Sequence, residues 1–256
     1  MEIPKIIHYC WFGGKPHPQM VLDCIQSWKK YCPDYQIIEW NETNFNVNEI
    51  QFTKEAYENK KWAFVSDYAR LKILFDHGGI YLDTDVELIR SLDPFLNYQG
   101  FMGFENQNLV ASGLGFGAVK GHPVIQALMD DYQGISYYKE NGLTDETPCP
   151  ERNTARLCSL GLIPNGNRQT VCNMEIFPSE YFAPMNWETG KMFLTDHTYS
   201  IHHYHASWLS KKEQRWLFLR RKIGTPLYNK LRYEYRIRFK RFIKKWLIAC
   251  GIWKSR

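Results

Sequence analysis

Asp83 and Asp85 stand two residues apart, directly after the apolar run Ile80-Tyr81-Leu82. Alternation along a strand turns side chains i and i+2 to one face, and two carboxylates so placed repel unless a cation or a donor lies between them. Mg²⁺ and Mn²⁺ take carboxylate oxygens and keep coordination positions free for phosphate oxygens, so a metal-bound diphosphate is the natural partner of such a pair. Asp-x-Asp alone also describes an ordinary solvated turn. Its place beyond a buried strand gives it weight, because ligands in open α/β sheets gather outside the carboxyl ends of the strands. Asp67 and Arg70 are three apart and share a helical face. Trp62, Phe64, Val65, Tyr68, Leu71, Ile73 and Leu74 surround them, so this helix is largely buried. The pair reads either as a structural ion pair or as a sugar site, with Asp67 accepting from hydroxyls and Arg70 donating to sugar or phosphate oxygens. His202, His203 and His205 form a third cluster that suits a transition metal, but the His-Glu-x-x-His spacing of zinc hydrolases is absent.

The elements that must hold these residues follow from pattern. Ile3 to Trp11 reads as a buried strand closed by the turn Phe12 to Pro16, Gln19 to Lys30 as a helix, and Gln36 to Trp40 as a second strand. Lys54 to His77, free of Gly and Pro, reads as one long helix stopped by Gly78-Gly79, and a third strand from Ile80 runs into Asp83 to Glu87. Strands separated by helices predict βαβ units, that is, a Rossmann-like α/β fold with a mostly parallel sheet and flanking helices. Gly13-Gly14-Lys15 lacks the P-loop pattern and reads as a turn. Gly113 to Gly117 misses the dinucleotide fingerprint by one residue and reads as backbone lining an acceptor side. Glu105, Asn106 and Glu151 are further polar residues without an assigned place, and no catalytic nucleophile stands out.

The chain has 256 residues, 44% hydrophobic and 16% aromatic, enough to bury a core in one large domain with an appendage. Its net charge of +5 averages two unlike parts. Residues 1 to 208 hold 16 Lys and Arg against 25 Asp and Glu, and residues 209 to 256 hold 16 against 2, so a body of −9 carries a tail of +14. Seven cysteines without a Cys-x-x-Cys pair fit neither a disulfide framework nor structural zinc. The chain shows no long apolar run and its first residues no secretory signal, so a cytoplasmic protein is expected.

Three blocks together carry a family resemblance: Ile3-Pro4-Lys5-Ile6-Ile7-His8-Tyr9-Cys10-Trp11-Phe12-Gly13, Ser66-Asp67-Tyr68-Ala69-Arg70, and Gly78-Gly79-Ile80-Tyr81-Leu82-Asp83-Thr84-Asp85. With Gly115 to Pro123, Phe177 to Phe182, and Ile201 to Tyr204 followed by Ser207-Trp208, the sequence resembles the DXD-containing sugar transferases of glycosyltransferase family 32 over about residues 1 to 210. The resemblance implies a GT-A fold, a nucleoside-diphosphate sugar donor (a UDP-sugar favoured), a divalent metal (Mn²⁺, or Mg²⁺) and retention of anomeric configuration. Carried over, Trp11 stacks on the donor base, and Ser66, Asp67 and Arg70 hold the donor. Asp83 contacts ribose and sugar with a share in the metal, and Asp85 is the direct metal ligand. A late histidine completes such metal sites, with His203 the first choice and His205 the second. Ser207 and Trp208 lie on a stretch that closes over the donor.

The region 211 to 256 is expected to form basic amphipathic helices. Leu231, Tyr235, Phe239, Phe242, Ile243 and Trp246 gather on one side, and Arg236, Arg238, Lys240, Arg241, Lys244 and Lys245 lie mostly on the other. This pattern fits an anionic membrane surface at the inner face of a cytoplasmic membrane. Together with the capsular polysaccharide transferases among the family it resembles, this implies a lipid-linked glycan acceptor in bacterial surface polysaccharide synthesis; a helix packed on the domain with a solvated basic face is the alternative, and the acidic body offers no groove for nucleic acid. A nucleotide-sugar hydrolase and a carbohydrate-binding module are the competing functions.

Overall fold

The computed structural model describes residues 2–139, 141–205 and 211–235. They divide into two compact units, Met1–Asn186 with Met192–Trp208, and Trp187–Lys191 with Leu209–Arg256. In the first unit the strands are β1 (Ile6–Cys10), β2 (Gln36–Trp40), β3 (Gly79–Tyr81), β4 (Val86–Leu88), β5 (Gly100–Phe104), β6 (Val110–Ala111), β7 (Phe116–Ala118), β8 (Gln169–Val171), β9 (Met174–Phe177) and β10 (Ser200–His202). Its helices are α1 (Gln19–Tyr31), α2 (Gln51–Glu58), α3 (Trp62–His77), α4 (Pro123–Asp130) and α5 (Cys149–Ser159).

The main sheet has the order β2-β1-β3-β7-β5-β9-β8, with β6 on β5. β1 pairs in parallel with β2 and β3, and β5 with β9, whereas β7 enters antiparallel between β3 and β5. The result is a mixed α/β architecture whose strands run mainly one way, as the alternation of elements predicts. Side-chain alternation then sorts the core into two layers. Tyr81 and Met102 turn to the layer holding Ala69, Leu74, Leu128 and Leu157 of α3, α4 and α5. Ile80, Leu82 and Phe101 turn to the layer holding Trp28 of α1 with Phe95, Phe177 and Phe182.

Two sequence expectations are corrected. The helix expected from Lys54 to His77 is two helices, because Asn59-Lys60-Lys61 has nothing apolar to bury and Lys60 takes φ 58°. The break lets Tyr57 and Trp62 meet with ring centroids 5.1 Å apart. The third strand does not continue through the aspartates either. It ends at Tyr81, the Val86 N–H donates to the Asp83 carbonyl at 3.0 Å, and β4 departs to form a separate two-stranded ladder with β10.

The junction feeding that turn is tightly held. His8 is buried, accepts from Trp40 Nε1 at Nδ1 (3.0 Å) and therefore donates from Nε2 to the Gly78 carbonyl (2.9 Å). Burial holds this imidazole neutral, down at about 4. Gly78 closes α3 at φ 69°, and a Cβ there would lie 2.9 Å from the Lys120 backbone nitrogen. Trp28, fully buried, donates to the Val86 carbonyl at 2.7 Å and fixes the far side of the turn.

The second unit contains α6 (Lys211–Ile223) and a further helix over 225–235. Arg220 pairs with Glu188 at 2.6 Å, and Trp216 packs edge-on against Tyr228. Of the amphipathic stripe, Leu231 and Tyr235 are exposed. Phe239, Phe242, Ile243, Trp246 and their basic neighbours lie outside the described residues.

Gly78→Ala is expected to destabilise the protein by about 1–3 kcal/mol, since it forces an L side chain into left-handed backbone against a backbone nitrogen. A urea midpoint equal to that of the wild type would show that the junction yields at no cost.

Candidate active site

Four residues of α3 begin the site. The Ser66 hydroxyl donates back to the Trp62 carbonyl at 3.0 Å, and the Ser66 carbonyl accepts from Arg70 Nε at 3.1 Å. Asp67 and Arg70 stand one turn apart, and Arg70 Nη2 lies 3.1 Å from Asp67 Oδ1 and 3.2 Å from Asp83 Oδ1. One guanidinium nitrogen thus bridges two carboxylates from α3 and from the turn after β3. Arg70 is 5% exposed, so this cation is desolvated and depends on both partners. Burial works against its charge, yet Asp83, Tyr81 and Asp67 hold it well above the ordinary arginine value. Burial likewise pushes Asp67 up to about 6 against the pull of Arg70, and raises Asp83.

Asp83 is further tied by the Tyr81 hydroxyl, which donates to Oδ1 at 3.0 Å, and the Arg70 guanidinium lies 5.2 Å from the Tyr81 ring centre. Tyr81 is a site residue that sequence reasoning left without a role, although it stands two residues before Asp83. Gly113 presses on the same carboxylate, where a Cβ would sit 2.4 Å from Asp83 Oδ2. The glycine-rich segment therefore lies against the aspartate rather than simply lining an acceptor side.

Asp85 has a different environment. His202 Nε2 lies 3.1 Å from Oδ1, and the His205 backbone N–H donates to Oδ2 at 2.8 Å. Burial would raise this carboxyl, but the His202 charge and these hydrogen bonds hold it well below the usual carboxylate range. His202 in turn is raised: burial works against its charge, and Asp85, with Asp83 and Glu105 nearby, favours the charged ring.

The histidine that joins the aspartates is His202, not His203. In the antiparallel β4–β10 ladder His202 stands opposite Val86. Alternation sends His202 inward and His203 outward, where His203 Nε2 meets Glu87 at 2.9 Å. Tyr204, at φ 49°, then turns the chain so that His205 brings its backbone N–H, with its side chain exposed. Glu105, beyond β5, lies beside His202 and Tyr204, and burial raises its carboxyl. Trp11 stands just past the end of β1, half-buried against His17, and donates from Nε1 to the Lys15 carbonyl at 2.6 Å. No described contact joins it to the aspartates. Ser207 and Trp208 lie outside the described residues.

Asp83, Asp85 and His202 each offer one ligand atom, and these atoms lie within 4.8 Å of one another. An octahedral hard cation with bonds of about 2.0–2.1 Å needs ligand atoms about 3–4 Å apart. Two carboxylates and one imidazole form a donor set of the kind a divalent ion takes, and such an ion would also bind phosphate oxygens.

Residues 18–102 match the family model described as "Glycosyltransferase sugar-binding region containing DXD motif". The chain is 30% identical over 127 residues to inositol phosphoceramide mannosyltransferase 3 of Schizosaccharomyces pombe, covering 48% of this chain and 35% of that protein. It is 31% identical over 152 residues to a mannosyl phosphorylinositol ceramide synthase of Saccharomyces cerevisiae, covering 56% and 39%. The chain thus spans little more than a third of the length of these curated relatives. Among solved structures it is similar to the PaToxG glycosyltransferase, with 21% identity, a TM-score of 0.48, and coverage of 62% of this chain and 69% of that one.

For a cation to bind His202 Nε2 the proton there must leave, so Mn²⁺ affinity is expected to fall as pH falls through the raised His202 value. Calorimetric titration across that range should also show His202→Ala losing about tenfold or more in Mn²⁺ affinity, with His203→Ala nearly unchanged. The opposite order of the two variants would return the ligand role to His203.

Proposed function

We propose that this chain, which carries the DXD-containing sugar-binding region of glycosyltransferases, is a retaining, divalent-metal-dependent glycosyltransferase on a GT-A scaffold. It moves a hexose or N-acetylhexosamine from a nucleoside-diphosphate sugar to a glycan acceptor. The observation that carries this reading is the convergence of two charge sites on one turn: Asp85 with His202, and Asp83 with the Arg70–Asp67 pair.

The division of labour follows from the electrostatics. Asp85, held ionised, with Asp83 and His202, would hold Mn²⁺ or Mg²⁺, and the ion would supply positive charge to the departing nucleoside diphosphate. Asp67 and Arg70 face the donor sugar, Asp67 accepting from its hydroxyls and Arg70 orienting that carboxylate. Trp11, at the end of β1, offers its half-buried indole to the base. Ser66 acts through its carbonyl, which anchors Arg70. UDP is the favoured nucleotide, and the names of the fungal relatives add a mannosyl donor to the screen.

The same names include a ceramide-based lipid, which supports a lipid-linked acceptor. A peripheral position on the cytoplasmic face of the membrane is the accompanying proposal. It is supported by the +14 charge of residues 209 to 256 and by the exposed Phe218, Leu227, Leu231 and Tyr233. No helix of the described residues is long and apolar enough to cross a membrane.

A panel of UDP- and GDP-sugars with Mn²⁺, read by thermal shift and then by product formation with glycan acceptors, should give one donor that stabilises and transfers. Asp85→Ala is expected to lower transfer by about 100-fold or more. Donor hydrolysis with no acceptor product would mark a hydrolase, and nucleotide binding indifferent to metal and to Asp85→Asn would mark a carbohydrate-binding module. The full chain should sediment with vesicles containing anionic phospholipid and lose this on deletion of 211–256; sedimentation unchanged by the deletion would overturn the membrane proposal.

A further inference from the structure

The Nη2 edge of Arg70 is occupied by Asp67 and Asp83, and its Nη1 edge meets a set of neutral groups that the charge site does not account for. Nη1 lies 3.5 Å from Ser112 Oγ and 3.8 Å from Cys149 Sγ. The groups behind it are bonded more tightly to each other than to Arg70. Ser112 Oγ and Cys149 Sγ are 3.0 Å apart, and Asn153 Nδ2 donates to Ser112 Oγ at 3.0 Å and to Cys149 Sγ at 3.3 Å. Ser112 and Asn153 are fully buried.

We propose that Ser112, Cys149 and Asn153 form a rigid, neutral shelf that holds the Arg70 guanidinium in the orientation from which Nη2 reaches Asp67 and Asp83 together, making them positioning residues of the donor site.

Three observations support this. First, Asn153 Oδ1 makes no hydrogen bond with the described residues. An unsatisfied buried acceptor carries a desolvation cost, so an apolar side chain of similar size would serve packing better. What the amide adds is the pair of bonds from Nδ2. Second, the hydrogen bonds run one way. The Ser112 oxygen accepts from Asn153 and Arg70, which leaves its O–H to donate to Cys149 Sγ, and that sulfur also accepts from Asn153 and Arg70. Burial keeps that thiol protonated, up at about 12, so it is a neutral member of the cluster and not a nucleophile. Third, the turn that supplies Ser112 also supplies Gly113, whose missing side chain is the reason Asp83 can come close. A neutral shelf has a further consequence. An acidic group on the Nη1 edge would draw the guanidinium away, whereas neutral acceptors leave its charge to Asp67 and Asp83.

The proposal rests on the donor role given to Arg70 above, and two readouts separate it from that role. In ¹⁵N-labelled full chain, a guanidinium held on both edges rotates slowly about Nε–Cζ and shows separate Nη resonances. Ser112→Ala and Cys149→Ala are expected to average the Arg70 resonances. With the donor found in the nucleotide-sugar panel they should lower kcat by about tenfold or more. The affinity for free nucleoside diphosphate with Mn²⁺, which lacks the sugar, should stay within about twofold. Cys149→Ser, which keeps a donor and an acceptor, should restore both the resonances and kcat. Folded Ala variants with resolved resonances and wild-type kcat would overturn the proposal. So would a loss of thermal stability that Cys149→Ser fails to reverse, which would mark the three residues as packing alone. If the wild type turns over no nucleotide sugar, the transferase reading fails, and the resonances decide the shelf by themselves.

Discussion

Arg70 Nη2 between Asp67 and Asp83 is the contact on which the arrangement of this site depends. Three carboxylates, Asp67, Asp83 and Asp85, are drawn into the interior within a few residues' reach of one another, and buried like charges separate or protonate unless they are compensated. The chain provides two counter-cations. Arg70 serves Asp67 and Asp83 from α3, and His202 serves Asp85 from β10. The outcome is an asymmetric pair, in which Asp85 is held firmly ionised and Asp83 is raised by its burial.

The elements answer to this requirement. β3 has to stop at Tyr81, because a strand continuing through Asp85 would remain in the main sheet and never meet β10. Trp28 from α1 holds the Val86 carbonyl, and the β4–β10 ladder sets which histidine turns inward. α3 begins anew at Trp62 instead of running on from α2. Its buried stretch carries Asp67 and Arg70 on one face. On the other side of the guanidinium, the Ser112–Leu114 turn and the first residues of α5 supply neutral groups and a glycine where an added side chain would collide with Asp83. These segments come from six separate stretches of the chain, and only the sheet brings them to one place.

Much of this was legible in the residues. The apolar runs and helix-stopping glycines located β1, α1, β2 and the end of α3 closely. The spacing of Asp67 and Arg70 placed them on one helical face, and the Asp-x-Asp after a buried strand marked the site. The reading failed where local pattern is silent. Lys54 to His77 contains no breaker, so the division at Lys60 depended on Tyr57 and Trp62 packing together and on polar residues having no core to enter. The choice between His202 and His203 is a question of strand phase, and three adjacent polar rings carry no periodic signal that fixes it.

The amino-acid sequence by itself determined the kind of chemistry: acidic and basic side chains at helical and strand-end positions, an acidic body and a strongly basic tail. Those follow from residue type and from spacing within single elements, which short-range geometry controls. Only the tertiary structure decided the partnerships. It set His202 on Asp85, Tyr81 and Gly113 against Asp83, and Ser112, Cys149 and Asn153 behind Arg70, because each joins residues distant in the chain whose meeting depends on ladder register and on layers of packed side chains.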